Sequence, residues 1–434
     1  MRSLFTRATG LPTVQRAEGC WLTDTLGNRY LDGASGALVV NIGHNDSRVT
    51  SAIRRQLDAV SYVHPTAFNS DGLEEYGALL ASRLPMDDPA VYPVSGGSEA
   101  VETALKAART FHLANDEPER TVVIGRDLSY HGNSIGALDV SGRHSLREPY
   151  LPWLGRAGRI PGVLEYRCPN PRHPDNCGAW HADALAAEIE RIGPERVAAF
   201  IAEPIGGAGS GAAVPPPDYW KVVTEVCSRH GILVIADEVM TGFGRTGKWF
   251  GSEHFELQPD IMTMAKGASS GYWPLGVCAF SGRVAATLEE RGFVHGFTFS
   301  HHLVGAVAGR AVIKRLDELR LVERAEDRGR ALGDALRATV ADHPVVGDVR
   351  GLGLLWAIEL VSDRDTKRPF PPSERMSARL TESARSHGLL VYPSTGCAGD
   401  GTGDLVMIGP PLIVSVDELG MLVERLALAL EEFG

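Results

Sequence analysis

The sequence predicts an α/β fold in which a large, mostly parallel sheet is covered by helices on both faces and joined to a smaller α+β domain. Short apolar runs rich in β-branched residues recur through the middle of the chain, amphipathic segments separate them, and the pattern changes after about residue 305. Apolar runs of this length are typical of strands buried on both faces, and their alternation with helices indicates a parallel sheet. The predicted strands are Ala90–Ser95, Thr121–Gly125, Val197–Glu203, Ile232–Asp237, Ile261–Ala265 and Val277–Phe280.

The remaining elements divide the chain into three predicted parts: an N-terminal segment of residues 1–60 that packs with the small domain, a large domain of residues 61–304 and a small C-terminal domain of residues 305–434. Gly396–Gly403 is rich in glycine, and we predict a loop there. The predicted helices are Glu99–Leu113, Ala182–Ile192, Tyr219–His230, Leu303–Leu319, Val322–Ala341, Ser373–Ser386 and Val416–Phe433, with a strand region at Val346–Glu359.

Composition and charge exclude some classes of partner. Of the 434 residues, 44% are hydrophobic and 22% are charged, which is typical of a globular protein. The net charge of -11 argues against nucleic acid or an anionic membrane as the main partner. The first residues show no signal-peptide pattern and no apolar run is long enough to span a bilayer, so we expect a cytoplasmic protein.

The cysteines are scattered rather than arranged as a disulfide framework. Cys168 and Cys177 flank a polar, proline-rich stretch that contains His173. A zinc site there would need a ligand spacing that fits no common pattern, so we favour a surface loop with two reduced thiols and predict no metal. The cysteines are Cys20, Cys168, Cys177, Cys227, Cys278 and Cys397.

Two strand ends carry groups that suit a charged ligand. Gly96-Gly97-Ser98 opens a predicted helix, where free N–H groups, the helix dipole and a hydroxyl can bind an anion such as phosphate. An ordinary helix cap is the alternative. Asp237 and Glu238 end an apolar strand, where Asp237 can meet a buried cation such as a pyridinium nitrogen. A metal ligand or a helix N-cap is the alternative there.

Lys266 stands out in a chain that uses arginine almost everywhere else. It directly follows an apolar strand and precedes a glycine. A desolvated lysine can become a neutral amine and form a Schiff base, which arginine cannot do. A structural lysine that extends from a strand end is the alternative. The lysines are Lys106, Lys221, Lys248, Lys266, Lys314 and Lys367.

These features occur within a longer series of motifs. In order they are DTLGNRYLDGASG, NIGH, SGGSEAVETALKAAR, YHG, AEP, IADEVMTGFGRTG, AKGASSGYWPLG, HGFTFS and IGPPLIV. Over nearly its whole length the chain therefore resembles the class III pyridoxal 5′-phosphate (PLP) aminotransferases, the ω-aminotransferase and ornithine aminotransferase family. The resemblance implies fold type I with a mostly parallel seven-stranded sheet, PLP as cofactor and a homodimer or higher oligomer. It also implies amino transfer from a primary amine or amino acid to a keto acid such as pyruvate, or to an aldehyde or ketone.

The resemblance implies a role for each matching residue in the large, cofactor-binding domain. Lys266 would form the Schiff base with PLP and move the proton, and Asp237 would pair with the pyridine nitrogen. Thr298 is similar to a threonine that reaches the cofactor phosphate of the neighbouring subunit, which implies active sites built at a dimer interface. The other residues implied to bind the cofactor are Gly97 and Ser98 at the phosphate, Tyr130 and Val239 on the two ring faces, and His131 beside Tyr130.

Glu203 matches the family's Glu-Pro motif and is expected to be catalytic, but its usual partner is missing. In many relatives this glutamate pairs with a C-terminal arginine that binds the substrate carboxylate. Here that segment reads Leu389-Leu390-Val391-Tyr392-Pro393, so a tyrosine replaces the arginine. The loss indicates an ω-amine donor. Candidates to replace the arginine are Arg143, Arg147 and Arg159, although each alone is more typical of a surface arginine.

Other readings of the motifs remain open at this point. His301 and His302 resemble metal ligands but have no acidic or cysteine neighbour, so we predict that they pack at the interface; Arg245 is predicted to be structural. The same fold also hosts aminomutases, dialkylglycine-type decarboxylases and racemases. A P-loop nucleotide binder would require Gly-Lys-Ser/Thr, which SGGSEA lacks. Retention of Lys266 and Asp237 argues against a non-catalytic relative.

Overall fold

The structure is a computed structural model, and residues 9–433 are described. Its strands and helices alternate through the middle of the chain, as the sequence predicts. The strands are β1 (Val14–Glu18), β2 (Trp21–Asp24), β3 (Arg29–Asp32), β4 (Ala90–Val94), β5 (Val122–Arg126), β6 (Gly158–Ile160), β7 (Val197–Ala202), β8 (Leu233–Asp237), β9 (Ile261–Met264), β10 (Gly276–Phe280), β11 (Val346–Leu352), β12 (Leu355–Leu360), β13 (Leu389–Leu390), β14 (Tyr392–Gly399) and β15 (Thr402–Ile408).

The helices connect these strands or pack at the two ends of the chain. The three helices predicted between the strands begin within five residues of their predicted starts at Glu99, Ala182 and Tyr219. Within the described residues the helices are α1 (Ser35–Leu38), α2 (Ser47–Ala59), α3 (Asp71–Ala81), α4 (Gly97–Ala114), α5 (Ile135–Val140), α6 (His144–Arg147), α7 (Cys177–Ile192), α8 (Tyr219–Arg229), α9 (Gly282–Arg291), α10 (Leu303–Glu318), α11 (Leu321–Val340), α12 (Met376–Ser386) and α13 (Val416–Glu431). None of the helices in residues 9–433 is long and apolar enough to cross a membrane.

The central sheet has seven strands in the order β4-β10-β9-β8-β7-β5-β6. Only β10 runs antiparallel to its neighbours, whereas the β9-β8-β7-β5-β6 pairs are parallel. The prediction of a large, mostly parallel sheet is confirmed. The sequence analysis missed β6, because three residues that contain a glycine and an arginine give no apolar run.

Helices bury both faces of this sheet, because successive side chains of a strand point to opposite faces. On one face, Ile201 of β7 and Ile235 of β8 pack with Val101 and Phe111 of α4. On the other face, Phe200 and Val234 belong to a core that includes residues of α7 and α8. The strand ends are therefore the part of the sheet that is open to a ligand.

Two smaller sheets complete the fold. The strands β1, β2 and β3 are joined by β13, so the N-terminal segment contacts the C-terminal part, with Leu31 beside Leu389. The other sheet has the antiparallel order β11-β12-β15-β14. The domain boundaries at residues 60 and 304 stay predictions.

The predicted loop at Gly396–Gly403 is wrong. These residues form the end of β14, the start of β15 and the turn between them. Pairing of β15 with β12 and β14 outweighs the weak strand propensity of glycine. The turn uses left-handed backbone at Gly401, with a φ of 77°, where glycine is favoured.

Candidate active site

The carboxyl ends of five strands of the central sheet (β4, β5, β7, β8 and β9) meet at a cavity of about 180 Å³. Open α/β sheets bind ligands at this edge. Eight of the nine predicted site residues line the cavity: Gly97, Ser98, Tyr130, His131, Glu203, Asp237, Val239 and Lys266. The sequence analysis did not predict the other lining residues, which are Gly132, Gly207, Ala208, Met240 and Ala265.

Lys266 lies just beyond β9, with its side chain in the cavity. Its φ of 46° is in the left-handed region, which is unfavourable for a residue with a Cβ atom and is most often found where function demands it. Burial lowers the pKa of Lys266 to about 8, and the Asp237 carboxylate opposes this shift. The structure therefore favours a neutral amine at a pH where lysine in water stays charged.

Three hydrogen bonds fix the Asp237 carboxylate at the end of β8. Its Oδ2 atom lies 2.6 Å from Nδ1 of His131, and its Oδ1 atom accepts hydrogen bonds from the Thr263 hydroxyl at 3.1 Å and the Val239 N–H at 3.0 Å. His131 is buried, and within residues 9–433 its Nε2 atom has no hydrogen-bond partner. His131 therefore bonds to Asp237 and orients its carboxylate. The position of His131 in the YHG motif did not indicate this role.

The start of α4 forms a cradle for an anion. The helix begins at Gly97 without a side-chain cap, so the positive end of its dipole faces the cavity. A Cβ atom on Gly97 would lie 3.3 Å from both methyl groups of Val239, and one on Gly132 would lie 2.5 Å from the Ser98 hydroxyl. The two glycines therefore keep the cradle open and let neighbouring segments approach it.

Glu203 has a partner that the sequence analysis missed. The guanidinium of Arg126 lies 3.6 Å from its carboxylate and also donates a 2.6 Å hydrogen bond to its backbone carbonyl. Burial raises the pKa of Glu203, while His131 and Arg126 lower it. The predicted strand ended at Gly125. Extending it by one residue would have placed Arg126 at the ligand-binding edge.

The structure distinguishes the three candidate arginines. Arg147 donates to the backbone carbonyls of Leu138, Asp139 and Ser141, and Arg159 donates to those of Asp139 and Ser141, so both guanidinium groups are occupied.

Arg143 differs from these two. Its Nε atom is buried and has no hydrogen-bond partner among residues 9–433. Burial lowers the pKa of Arg143, and interaction with Tyr392, Tyr130 and Cys397 opposes this shift. Tyr392 and the cavity residue Met240 both pack against an apolar cluster that contains Ala208, another cavity residue. Arg143 is therefore the candidate whose Nε atom is left without a partner within residues 9–433, and its charge interacts with Tyr130, which lines the Lys266 cavity.

Thr298 is not brought to the Lys266 cavity of its own chain. It is exposed and lines a separate, wider cavity of about 940 Å³, where its carbonyl accepts a hydrogen bond from the Tyr62 hydroxyl at 2.9 Å. In the same region His301 packs edge-on against Tyr92, and His302 packs against Trp273. These histidines belong to no metal-ligand cluster within the described residues.

Arg245 has a structural role, as predicted. It is fully buried, and burial lowers its pKa to about 9. Its guanidinium donates to the backbone carbonyls of Leu354 and Pro410 and to the side chain of Asn41. It therefore connects the loop after β8 to both ends of the chain.

Comparison with known proteins assigns this arrangement to a family. Residues 6–430 match the family model described as aminotransferase class-III. The chain belongs to this family. Class III aminotransferases have fold type I, use PLP and transfer an amino group to a keto acid, and this chain is accordingly a PLP-dependent aminotransferase.

Individual relatives of this class III aminotransferase cover nearly the whole chain. The uncharacterized aminotransferase YodT of Bacillus subtilis is 37% identical over 96% of this chain and 94% of its own. The putrescine–pyruvate aminotransferase of Pseudomonas aeruginosa is 33% identical over 95% of this chain and 89% of its own. A crystal structure of a PLP-bound amine transaminase from an uncultivated Pseudomonas species has 36% identity and a TM-score of 0.92, covering 100% of this chain and 98% of that one.

The cavity of this class III aminotransferase fits PLP on its own geometry. It combines a buried amine with a lowered pKa, a fixed carboxylate and an uncapped helix start between two glycines. An aldehyde, a pyridinium nitrogen and a phosphate have complementary chemistry.

Proposed function

We propose that this aminotransferase takes its amino group from an ω-amine and passes it to pyruvate or a similar keto acid. The observation that carries the proposal is Tyr392, which stands where the family resemblance places the carboxylate-binding arginine and packs, as the cavity residue Met240 does, against an apolar cluster that includes Ala208. An aromatic ring there suits an amine donor without a carboxylate. The similarity to the putrescine–pyruvate enzyme supports the same donor class.

The proposed roles follow from the contacts of each residue. When bound, PLP supplies an aldehyde that takes up the amino group and a ring that withdraws electrons. The Nζ atom of Lys266 would hold the cofactor through this aldehyde, and the amine would remove and return a proton at the substrate carbon that bears the nitrogen. Asp237, oriented by His131 and Thr263, keeps the ring nitrogen protonated.

The remaining cavity residues hold the cofactor in place. Gly97 and Ser98 bind the phosphate at the start of α4. Tyr130 and Val239 line the cavity and would pack on the two faces of the ring, which would exclude water. Glu203, kept in place by Arg126, lies beside the reacting groups as a positioning residue.

A panel of amine donors tests this function. We expect faster transfer to pyruvate from aliphatic diamines and primary monoamines than from glutamate or aspartate, measured as alanine formed. Strict dependence on α-amino dicarboxylates would overturn the proposed donor class. Failure to transfer nitrogen to any added keto acid, with PLP bound, would instead favour a mutase, decarboxylase or racemase reaction.

We further propose that Arg143 binds the carboxylate of the keto acid. A guanidinium whose Nε is unpartnered among residues 9–433 is a strong site for a carboxylate, and the groups that interact electrostatically with Arg143 include Tyr392 and the cavity residue Tyr130. The helix α6, which follows Arg143, contacts β14, which begins at Tyr392. Arg143, just before α6, would thus take over carboxylate binding from the missing C-terminal arginine.

The substitution R143Q is expected to raise the KM for pyruvate about 10- to 100-fold, because a hydrogen bond to a charged group contributes about 1.5–3 kcal/mol. Steady-state kinetics with the keto acid varied would measure this effect. The KM for an aldehyde acceptor, which has no carboxylate, should stay the same.

The matched control is R147Q, which removes a guanidinium bonded to backbone carbonyls. It should lower the melting temperature and leave the ratio of the two KM values unchanged. An unchanged pyruvate KM in R143Q would contradict the role of Arg143 without affecting the assignment of amino transfer.

We propose that the enzyme is a homodimer in which Thr298 reaches the active site of the second copy. Thr298 lies outside the Lys266 cavity of its own chain. Its cavity and its segment carry exposed apolar side chains: Phe68, which lines the same cavity, is 67% exposed, and Phe299 and Val294 of the same segment are 56% and 96% exposed. Such a concentration of exposed apolar surface is typical of a protein interface. A second copy of the chain would cover it.

The substitution T298A is expected to weaken PLP binding about tenfold, because one charge-assisted hydrogen bond to the phosphate is lost. Equilibrium dialysis measures this, with T287A on the exposed face of α9 as the control. Refolding T298A together with K266A should produce hybrid dimers. One site of each hybrid combines Lys266 from the T298A chain with Thr298 from the K266A chain and is therefore intact. At limiting PLP the hybrids should be more active than either variant alone. A monomer in sedimentation, or hybrids without any gain, would contradict shared sites.

We also propose a cytoplasmic location. All six cysteines are free thiols, which is the usual state in a reducing compartment.

A further inference from the structure

We propose that Cys168, His173 and Cys177 bind a zinc ion in a second site, separate from the Lys266 cavity. The Sγ atoms of the two cysteines lie 3.6 Å apart, and Nδ1 of His173 lies 3.3 Å from Sγ of Cys177. All three ligand atoms lie within 4.8 Å of one another. None of the three residues lines the Lys266 cavity, so the proposal does not depend on the proposed amine donor.

The distances between the ligand atoms match a tetrahedral ion. With Zn–S bonds of about 2.3 Å and Zn–N bonds of about 2.0–2.1 Å, a tetrahedron places two sulfurs about 3.8 Å apart and a sulfur and a nitrogen about 3.5 Å apart. The observed separations are within a few tenths of an ångström of both values. A disulfide would need about 2.05 Å. Two thiolates and an imidazole are a ligand set that favours zinc over the hard cations.

The loop before α7 is built to bring these residues together. Asn170 is buried, and its side-chain amide donates to the Asp175 carbonyl at 2.8 Å and to the Cys177 thiol at 3.4 Å. The loop therefore folds back on itself, so that Cys168 returns to the first residue of α7. Ligand spacings of five and four residues match no common zinc motif, and for this reason the sequence predicted a plain thiol loop.

A second observation points to a ligand at this place. The cluster opens into a cavity of about 490 Å³ that His181 also lines, one helical turn after Cys177. His181 is 1% exposed, and its Nδ1 atom has no hydrogen-bond partner within residues 9–433. We infer that a water molecule completes the tetrahedron and donates a hydrogen bond to this nitrogen.

The ion would have a structural role at the contact between the central sheet and the C-terminal sheet. Arg167 immediately precedes the cluster, and its guanidinium bonds to the buried Glu359 of β12 at 2.5 Å. The carbonyl of the neighbouring Tyr166 accepts a hydrogen bond from Lys367 at 2.9 Å. Fixing the loop therefore holds both of these contacts in place, and loss of the ion should reduce stability more than turnover.

Metal analysis of the purified holoenzyme tests the site. After growth with zinc and gel filtration, we expect about one zinc per chain by mass spectrometry, and less than about a tenth of this in H173A and in the double variant C168S/C177S. His173 is exposed, so H173A should still fold and keep its PLP content, with the lower melting temperature that loss of the ion causes. The controls are H144A and C20S, which should keep the metal. X-ray absorption should show two sulfur ligands and one protein nitrogen.

Several outcomes would overturn the zinc site. They are a wild-type protein that takes up no zinc on dialysis against zinc chloride, zinc that persists in C168S/C177S, or a Cys168–Cys177 disulfide in the mass map of unreduced protein. A chelator should lower the melting temperature of the wild type and leave that of C168S/C177S unchanged. PLP content and amino transfer, measured on the same samples, report independently on the active site.

Discussion

Replacing Lys266 with alanine should lower kcat for amino transfer by at least about 10⁴-fold. The variant loses both the amine that holds the cofactor covalently and the base that moves the proton, and proton transfer by a positioned group contributes up to about 10⁴-fold alone. Alanine formation from pyruvate measures the loss. Mass spectrometry after borohydride reduction should find PLP attached to the wild-type chain and absent from K266A.

The matched control is K248A, which removes a lysine outside the cavity. It should retain full activity and the covalent cofactor. Residual activity in K266A within tenfold of the wild type would rule out the proposed role.

The lowered pKa of Lys266 predicts how the rate of PLP uptake depends on pH. Burial disfavours the charged amine, so its pKa falls to about 8 rather than staying at the usual value for lysine. The rate at which apoenzyme takes up PLP should therefore rise with pH and level off above about 8, because only the neutral amine attacks the aldehyde.

The substitution D237N should lower kcat about 10³-fold while PLP stays bound. A carboxylate about 4 Å from a cationic ring nitrogen contributes about 4 kcal/mol at an effective dielectric constant of about 20. At about 1.4 kcal/mol for each factor of ten, losing this interaction gives the stated effect. Asparagine keeps the size of the side chain and an oxygen that can accept from His131 or Thr263.

The control is D260N, in which asparagine still accepts from the Val234 N–H at the opposite end of β8. Its kcat should equal that of the wild type. A D237N enzyme with normal turnover would show that Asp237 does not control the ring nitrogen, even if Lys266 proves essential.

The cofactor site could be predicted from the sequence because its residues follow short apolar strands. Asp237 ends β8, Lys266 follows β9, and Gly97 and Ser98 follow β4. Parallel strands align their carboxyl ends at one edge of a sheet, so local patterns place these groups together without knowledge of long-range contacts. The family resemblance then indicated the cofactor and the reaction.

The partners of these residues depended on contacts between distant segments. The pairing of Glu203 with Arg126 brings together two strand ends, and His131 reaches Asp237 across more than a hundred residues. The occupied guanidinium groups of Arg147 and Arg159 distinguish them from Arg143, although all three look alike in the sequence. Local sequence patterns do not predict which backbone carbonyls will accept hydrogen bonds from a side chain.

The amino-acid sequence thus determined the fold class, the phosphate cradle and the positions of Lys266 and Asp237, because hydrophobic periodicity and strand ends are local properties. Only the tertiary structure decided that Gly396–Gly403 lies in a hairpin, because β15 gains hydrogen bonds from β12 on one side and β14 on the other. It alone also brought the ligand atoms of Cys168, His173 and Cys177 within 4.8 Å of one another, because the buried Asn170 folds their loop back onto α7.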